Sequence, residues 1–440
     1  MAKFDLKSWW HFDEAAEMAS ADNPLSPLTQ EQRRPGGPLI ALAFGWGFLI
    51  TGLLAGGALG AGVQLWPDLI QYSMLGNAIN FVIGALVGYI AYRTGCNSTL
   101  IFRAVYGRVG ALVPVLCIAF LLIGWQGITV GAFAQIWTQA PGTPVFYAVA
   151  IFAGLLYTGT TLYGVKGLEK VGLPSMVVLV AVGLYAAWIN IDRVGGMSEL
   201  QRLSAERSAA SPLTGLQAIN IVVGSWIVGA VVMAEYVRFA KSFMVAMAIP
   251  AVVLVGDQVF LHLVGALGAI GSGSPDFTAY MGALSGVTAA LGLIGMTLAL
   301  WTTGDTNLYL PSVQTASMFR RPKRVMVVIC GLLGTILGLG IYQMFLGWID
   351  LLATIAPPIV GPVIAEYYLF RNRPATLEAD GAAASIPAIG AFVAGAVLAA
   401  VNGKAGSPIN IELAASLLGF LGSLGVYVVL RGAERALKGR

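Results

Sequence analysis

Apolar runs of about 20 residues, separated by short charged connectors, recur twelve times along this chain, and that spacing decides the fold class before any motif is weighed. They fall at roughly 38–62, 69–92, 110–137, 145–164, 171–190, 216–240, 243–270, 285–317, 325–344, 347–370, 385–402 and 411–430. Hydrocarbon offers no water to an unpaired backbone group, so runs of this length have to be helical. Only 10% of the 440 residues are charged, against 57% that are apolar. The expectation is an all-α membrane protein with twelve transmembrane helices.

The connectors set its organisation. Residues 1–36 mix Asp, Glu, Lys and Arg without an apolar core and read as a cytoplasmic tail, part amphipathic through Trp9, Trp10 and Phe12. Spans one to five occupy 37–190 and spans six to ten 216–370, with an outside loop at 191–215 that reads as a solvated connector. An inside loop at 371–384, spans eleven and twelve at 385–430 and a tail at 431–440 complete the chain. With the N-terminus inside, all but four of the 25 Lys and Arg are cytoplasmic, the exceptions being Arg193, Arg202, Arg207 and Lys404. One missed span would invert every later loop, so both termini are expected in the cytoplasm of a bacterial-type inner membrane. The net charge of +4 suits loops that face anionic lipid and needs no nucleic-acid partner.

Several function classes drop out. Cys96, Cys117 and Cys330 have no spacing that suggests zinc, haem or an iron–sulfur centre. There is no phosphate-binding P-loop, Gly-x-Ser-x-Gly elbow or His-Glu-x-x-His, and His11 and His262 are the two histidines. Neither ATP-driven transport nor catalysis has a motif to use.

Spans one and six carry the most informative interruptions: Gly52, Gly56, Gly57, Gly60 and Gly62 in the first, and Gly224-Ser225-Trp226-Ile227-Val228-Gly229 in the sixth. Five spans apart, they run in opposite directions, and paired breaks of this kind in two inverted halves mark the site of a secondary transporter. Unwinding is expected between Gly224 and Gly229. Gly52, Gly56 and Gly60 also form a small-xxx-small stripe suited to close packing.

The polar residues at membrane depth are candidate ligands. Trp125 lies mid-span, away from the interfaces where tryptophans anchor. Gln126 reads equally as a pocket amide or as a bond to a neighbouring helix. Ser225 contacts substrate or bonds back to its own helix. Asp305 and Asp257 are costly in a bilayer and so are functional candidates, with a structural role an even alternative for Asp257. Thr302 and Thr303 either ligate a cation or join helices, and with Asp305 and Asn307 they are more polar than helix joining requires.

In order and span placement, these motifs resemble the nucleobase:cation symporter-1 family, most closely its cytosine-permease-like branch, over about residues 35–375. The resemblance rests on Gly56-Gly57-Ala58-Leu59-Gly60, Gly124-Trp125-Gln126-Gly127, Gly224-Ser225-Trp226 leading to Glu235-Tyr236-Val237-Arg238-Phe239, Trp301 to Asn307, and Ala356-Pro357-Pro358 with Gly361. It implies a five-plus-five inverted repeat with discontinuous helices one and six, spans eleven and twelve being additions. It also implies a planar heterocycle stacked between Trp125 and Trp226, with Gln126, Gly224, Ser225, Gly304, Asp305 and Asn307 around its edges. Na⁺ would be the coupling ion, held by Thr302 and Thr303 with backbone oxygens near the first break, Leu49 and Gly52 among them.

Gly304 stands where the cytosine permeases have an amide, Trp226 where they tend to have Phe, and Asp257 where Asn is usual. These departures point away from cytosine itself toward another small heteroaromatic, such as a substituted pyrimidine, a purine or a vitamin precursor. A proton-coupled carrier, an amino-acid carrier and a channel-like facilitator are the alternatives. Pro357, Pro358 and Pro362 are expected to bend span ten into an extracellular gate.

Overall fold

A computed structural model describes residues 10–14, 25–162, 165–276, 286–372, 374, 376–377 and 382–437, and the side chains of these except 165–176, 178–179 and 288. Trp9 lies outside the described residues; Trp10 is exposed. Each apolar run of the sequence is helical. Run one is a pair, α1 (Gly36–Gly47) and α2 (Ile50–Gly62), bent by 47°. Then come α3 (Ile70–Thr94), short α4 (Ser98–Tyr106), α5 (Leu112–Thr138), α6 (Pro144–Thr161) and α7 (Val165–Arg193). The second half begins with α8 (Met197–Ala210), α9 (Gly215–Val231) and the one-turn α10 (Ala234–Val237). The chain continues through α11 (Phe243–Ala251), a π-helical Val252–Asp257 and α12 (Gln258–Ser272). The remaining helices are α13 (Gly286–Phe319), α14 (Lys323–Gly338), α15 (Phe345–Ala365), α16 (Ile386–Val401) and α17 (Ala415–Leu437). Length and apolarity qualify seven helical stretches among the described residues as membrane spans, and the bent α1–α2 pair makes eight. The shorter α16 is also apolar.

The first interruption falls at its expected place beside Leu49, and the second does not fall where its glycines suggest. In the first run the break is at Phe48 and Leu49, where Leu49 is extended (φ −101°, ψ 149°), and Gly52 lies inside α2. The glycine stripe is a packing surface: a Cβ on Gly56 would sit 2.3 Å from the His262 carbonyl oxygen, and one on Gly265 at 2.1 Å from that of Leu53. The backbones of α2 and α12 touch along it, as small residues permit.

In the sixth run the helix passes unbroken through Gly224-Ser225-Trp226-Ile227-Val228-Gly229, so unwinding there is corrected. Gly224 admits the Ile349 carbonyl of α15, from which a Cβ would be 2.5 Å away. At Gly229 a Cβ would meet the Trp226 ring itself at 2.0 Å. Glycine here clears space for neighbours, and the interruption comes at Val232 and Met233, before α10.

Two further segments have defined partners. The loop at 191–215 is mostly exposed and contains α8, whose Ser204 hydroxyl accepts from the Leu65 amide at 2.7 Å while Arg207 donates to the Ala269 carbonyl at 3.0 Å. Helix α15 continues through Pro357, Pro358 and Pro362 to a π-helical turn at Glu366–Phe370. Pro362 has no N–H for the carbonyl of Pro358. Ser423 of α17 supplies the donor at 2.7 Å, and Tyr106 donates to the adjacent Ile359 carbonyl at 2.6 Å. The N-terminal tail is tied down over residues 25–35, where the Leu28 amide donates to Gly95 and the Arg34 amide to Phe239. Arg33 is buried and donates to the Ala240 carbonyl at 3.1 Å, and burial pushes its guanidinium below the ordinary arginine range.

Candidate functional site

The α1–α2 break gathers buried polar groups from three helices. Helix α2 starts without a side-chain cap, leaving amides and carbonyls at membrane depth that need partners. The Thr303 hydroxyl of α13 accepts from the Ile50 amide at 3.2 Å. Gln258 of α12 donates its amide to the Gly47 carbonyl at 2.7 Å. The Thr51 hydroxyl, buried one residue into α2, has no partner among the described residues. No sequence window joins break, hydroxyl and amide.

A second cluster lies where α3, α9 and α12 meet. The His262 ring is fully buried; Ser73 stands 2.9 Å and Asn77 3.4 Å from its Nδ1, and Ser225 3.5 Å from its Nε2. A tautomer protonated at Nε2 satisfies all three contacts, because Ser225 in turn donates to the Val222 carbonyl at 2.7 Å. Asn80 reaches the Val223 carbonyl at 3.3 Å. The carbonyl oxygens of Asn77 and Asn80 have no partner among the described residues, so this cluster keeps unused acceptors. The candidate ligands read from the sequence do not include Ser73, Asn77 and Asn80. Their i, i+4, i+7 spacing in an apolar run puts them on one helix face, a signal available without coordinates.

The aromatic residues divide into two groups. Trp226 meets Trp46 of α1 edge-on at 4.8 Å between centroids, and Trp46 stacks on Tyr236 at 3.6 Å. Trp125 of α5 packs against Phe345 at 6.1 Å. Both tryptophans are buried, and the Trp226 indole N–H has no acceptor among the described residues. Phe345 also lines a cavity of about 340 Å³ with Leu54, Ala58, Gln135 and Tyr342, whose hydroxyl bonds Asp276 at 2.6 Å. Trp46, which no motif in the sequence singles out as a ligand, is the aromatic that α1 brings against Trp226, two residues before the break.

Other candidates point elsewhere. Gln126 packs its stem against Gly334 of α14, and neither amide atom has a partner among the described residues. Gly304 faces the Tyr157 ring of α6, where a Cβ would be 2.4 Å from it, so an amide would not fit. Asp305 accepts from Thr160 at 2.6 Å and Thr161 at 3.5 Å, both on α6. The Thr302 hydroxyl bonds back to the Leu298 and Ala299 carbonyls at 3.0 and 3.1 Å. Asn307, four residues after Thr303 and so on its face, is buried with its amide nitrogen unpartnered among the described residues. Thr303, Leu49 and Gly52 therefore cluster at the break. Gly304 and Asp305 join α13 to α6.

Comparison with known proteins identifies the family and the fold. The family described as permease for cytosine/purines, uracil, thiamine and allantoin matches residues 27–422. The cytosine permease of Escherichia coli (strain K12) is 29% identical over 356 residues, which are 80% of this chain and 83% of that protein. Among solved structures, Mhp1, a nucleobase-cation-symport-1 family transporter in a closed conformation with bromovinylhydantoin bound, has a TM-score of 0.76. It is 19% identical, and the match covers 95% of this chain and 97% of that one. A Na⁺-coupled sialic acid symporter in a substrate-bound outward-open state gives 0.66 at 11% identity, over 90% and 89% of the two chains. The shared fold is the five-plus-five inverted repeat expected above.

Proposed function

Since this chain belongs to the family of permeases for cytosine/purines, uracil, thiamine and allantoin, and is a multi-pass membrane transporter rather than an enzyme, we propose that it imports a small planar heteroaromatic by Na⁺-coupled alternating access. The observation that carries this reading is the α1–α2 break with the Thr303 hydroxyl at its first helical amide. Sodium is a hard ion that binds oxygen. Thr303, Leu49 and Gly52 supply hydroxyl and carbonyl oxygen there, with Thr302 the next hydroxyl on α13. The ring stacks on Trp125 and Trp226, and its edge meets polar groups from Ser225, Gly224 and Asn307, while Gln126, Gly304 and Asp305 fix α5 and α13 against their neighbours. Stacking suits such a substrate because its two faces hold most of the area to be buried. The membrane is a bacterial-type inner membrane with both termini cytoplasmic.

The relatives named for cytosine and for bound bromovinylhydantoin support a planar nitrogen heterocycle. The symporter named as Na⁺-coupled supports the ion. The test is a thermal-shift screen of purified protein against cytosine, uracil, allantoin, hydantoins and hydroxymethylpyrimidines, with and without Na⁺. A bound ligand raises the melting temperature in proportion to the logarithm of its concentration over Kd. One heterocycle should stabilise the protein, and more so with Na⁺. Thr303→Ala should lose the Na⁺ enhancement, and Trp226→Ala the ligand response. A Na⁺-independent response that survives Thr303→Ala would remove sodium from the proposal.

A further inference from the structure

Asp257 is the last residue of the π-helical segment Val252–Asp257, next to the α1–α2 break. It is 1% exposed, and neither carboxylate oxygen has a hydrogen-bond partner among the described residues. Gly47, the last residue of α1, makes room for it: a Cβ there would lie 2.0 Å from Asp257 Oδ2. π-Bulges concentrate at functional sites. Here the bulge delivers a carboxyl to the point where the broken helix changes direction.

An ionised carboxylate in such a place needs a counter-charge or several donors. The helices packed on the π segment offer neither. α1 and α11 contain no ionisable side chain. α3 carries Tyr72, Tyr89, Tyr92 and Arg93, the last two at its cytoplasmic end, and Arg93 bonds Tyr89. α12 brings His262, whose ring is engaged by Ser73, Asn77 and Ser225. A metal ion is a poor occupant too. The carbonyl of Gly47, the residue that faces the carboxyl, already accepts from Gln258 and from the Leu49 amide.

We propose that Asp257 is a proton-carrying residue of the transport cycle, protonated when α1 is packed on the π segment, as Gly47 is on Asp257 here, and deprotonated when α1 swings away from it. An O–H bond forms at a carboxyl oxygen with a proton taken from water on one side of the membrane. It breaks when the altered break exposes the carboxyl to water on the other side, so one proton crosses per cycle. This rests on alternating access at the α1–α2 break, but not on the identity of the heterocycle or on Na⁺. Asp257 faces Gly47 on the α1 side of the break, whereas Thr303 serves the α2 side.

Two measurements test it. Infrared difference spectra of wild-type protein in proteoliposomes, taken between neutral and strongly alkaline buffer, should contain a buried protonated-carboxyl band that disappears in Asp257→Asn. Absence of the band from the wild type, or its persistence unchanged in the variant, would overturn the proposal, and the wild-type spectrum needs no variant to fold. The second measurement is uptake of radiolabelled cytosine or hydantoin, whichever stabilises the protein, driven by a pH difference alone. One unit, outside acidic, supports up to about tenfold accumulation for one proton per substrate. Asp257→Asn should abolish this accumulation while retaining exchange of labelled for unlabelled substrate. Full pH-driven accumulation by the variant would exclude Asp257 as the carrier. A Thr303→Ala result that removes Na⁺ coupling leaves this outcome untouched, and the converse also holds, so the two readings fail separately.

Discussion

Asp257 and Glu366 are both carboxylates at 1% exposure inside a helical bundle, and their surroundings could hardly differ more. Glu366, where α15 gives way to its terminal π-helical turn, accepts from Arg371 at 3.0 Å, from Arg431 at 3.0 and 3.2 Å through its two oxygens, and from Tyr427 at 2.8 Å. Asp257 accepts from no donor among the described residues. A saturated carboxylate that ties two helices together is a fixed joint, since any motion between them breaks charged hydrogen bonds. One left without donors, beside a break in a helix, has nothing to hold it in a single charge state. The contrast separates the scaffold, where α15 meets α17, from the region proposed to move, where α1 and α2 meet α12 and α13.

The sharpest way to break the comparison is to empty the saturated site. Glu366→Ala leaves Arg431 and Arg371 facing each other without their shared anion, and removal of one member of a buried charged pair costs about 3–5 kcal/mol. The detergent-solubilised variant should melt well below wild type; an unchanged melting temperature would mean that the network is held by other contacts. Tyr427→Phe removes one hydrogen bond to a charged group and should cost less, about 1.5–3 kcal/mol. Measured in the same melt, a Tyr427→Phe loss as large as that of Glu366→Ala would mean that the phenol, and not the guanidinium groups, is the joint.

What can be read from the residues follows the same division. Twelve apolar runs translate directly into helices because hydrocarbon forces intrasegment hydrogen bonding. The break in the first run is legible to within a few residues. Its counterpart is not where Gly224 to Gly229 suggest, because glycine marks two physical events, an unwound backbone and a tight contact, and periodicity does not separate them. Only the positions of Ile349 and of the Trp226 ring show that these glycines belong to the second kind. Thr303 is visible as a polar residue on an apolar helix. That its oxygen, and not that of Thr302, meets the break depends on the rotation of α13, which is set by Tyr157 packing over Gly304 and by Thr160 binding Asp305. Arg371 lies five residues from Glu366, but the network escapes a reading of the residues because the partners that anchor it on α17 are 61 and 65 residues away, beyond any local pattern.

The smallest expected effect tests the other half of the comparison. If Asp257 is held as a neutral acid with no partner, it contributes little to the fold, and replacing it with an apolar side chain of similar size removes only an unsatisfied polar group. Asp257→Leu should therefore leave thermal stability within about 1 kcal/mol of wild type, with the difference on the stabilising side. The same replacement at Glu366 should be destabilising, since there it removes the anion that two arginines share. The opposite signs are the discriminating result, measured as melting temperatures of the two variants in the same detergent. A loss of several kcal/mol in Asp257→Leu would show that the carboxyl is bound by donors in the folded protein, and would make it a joint of the same kind as Glu366.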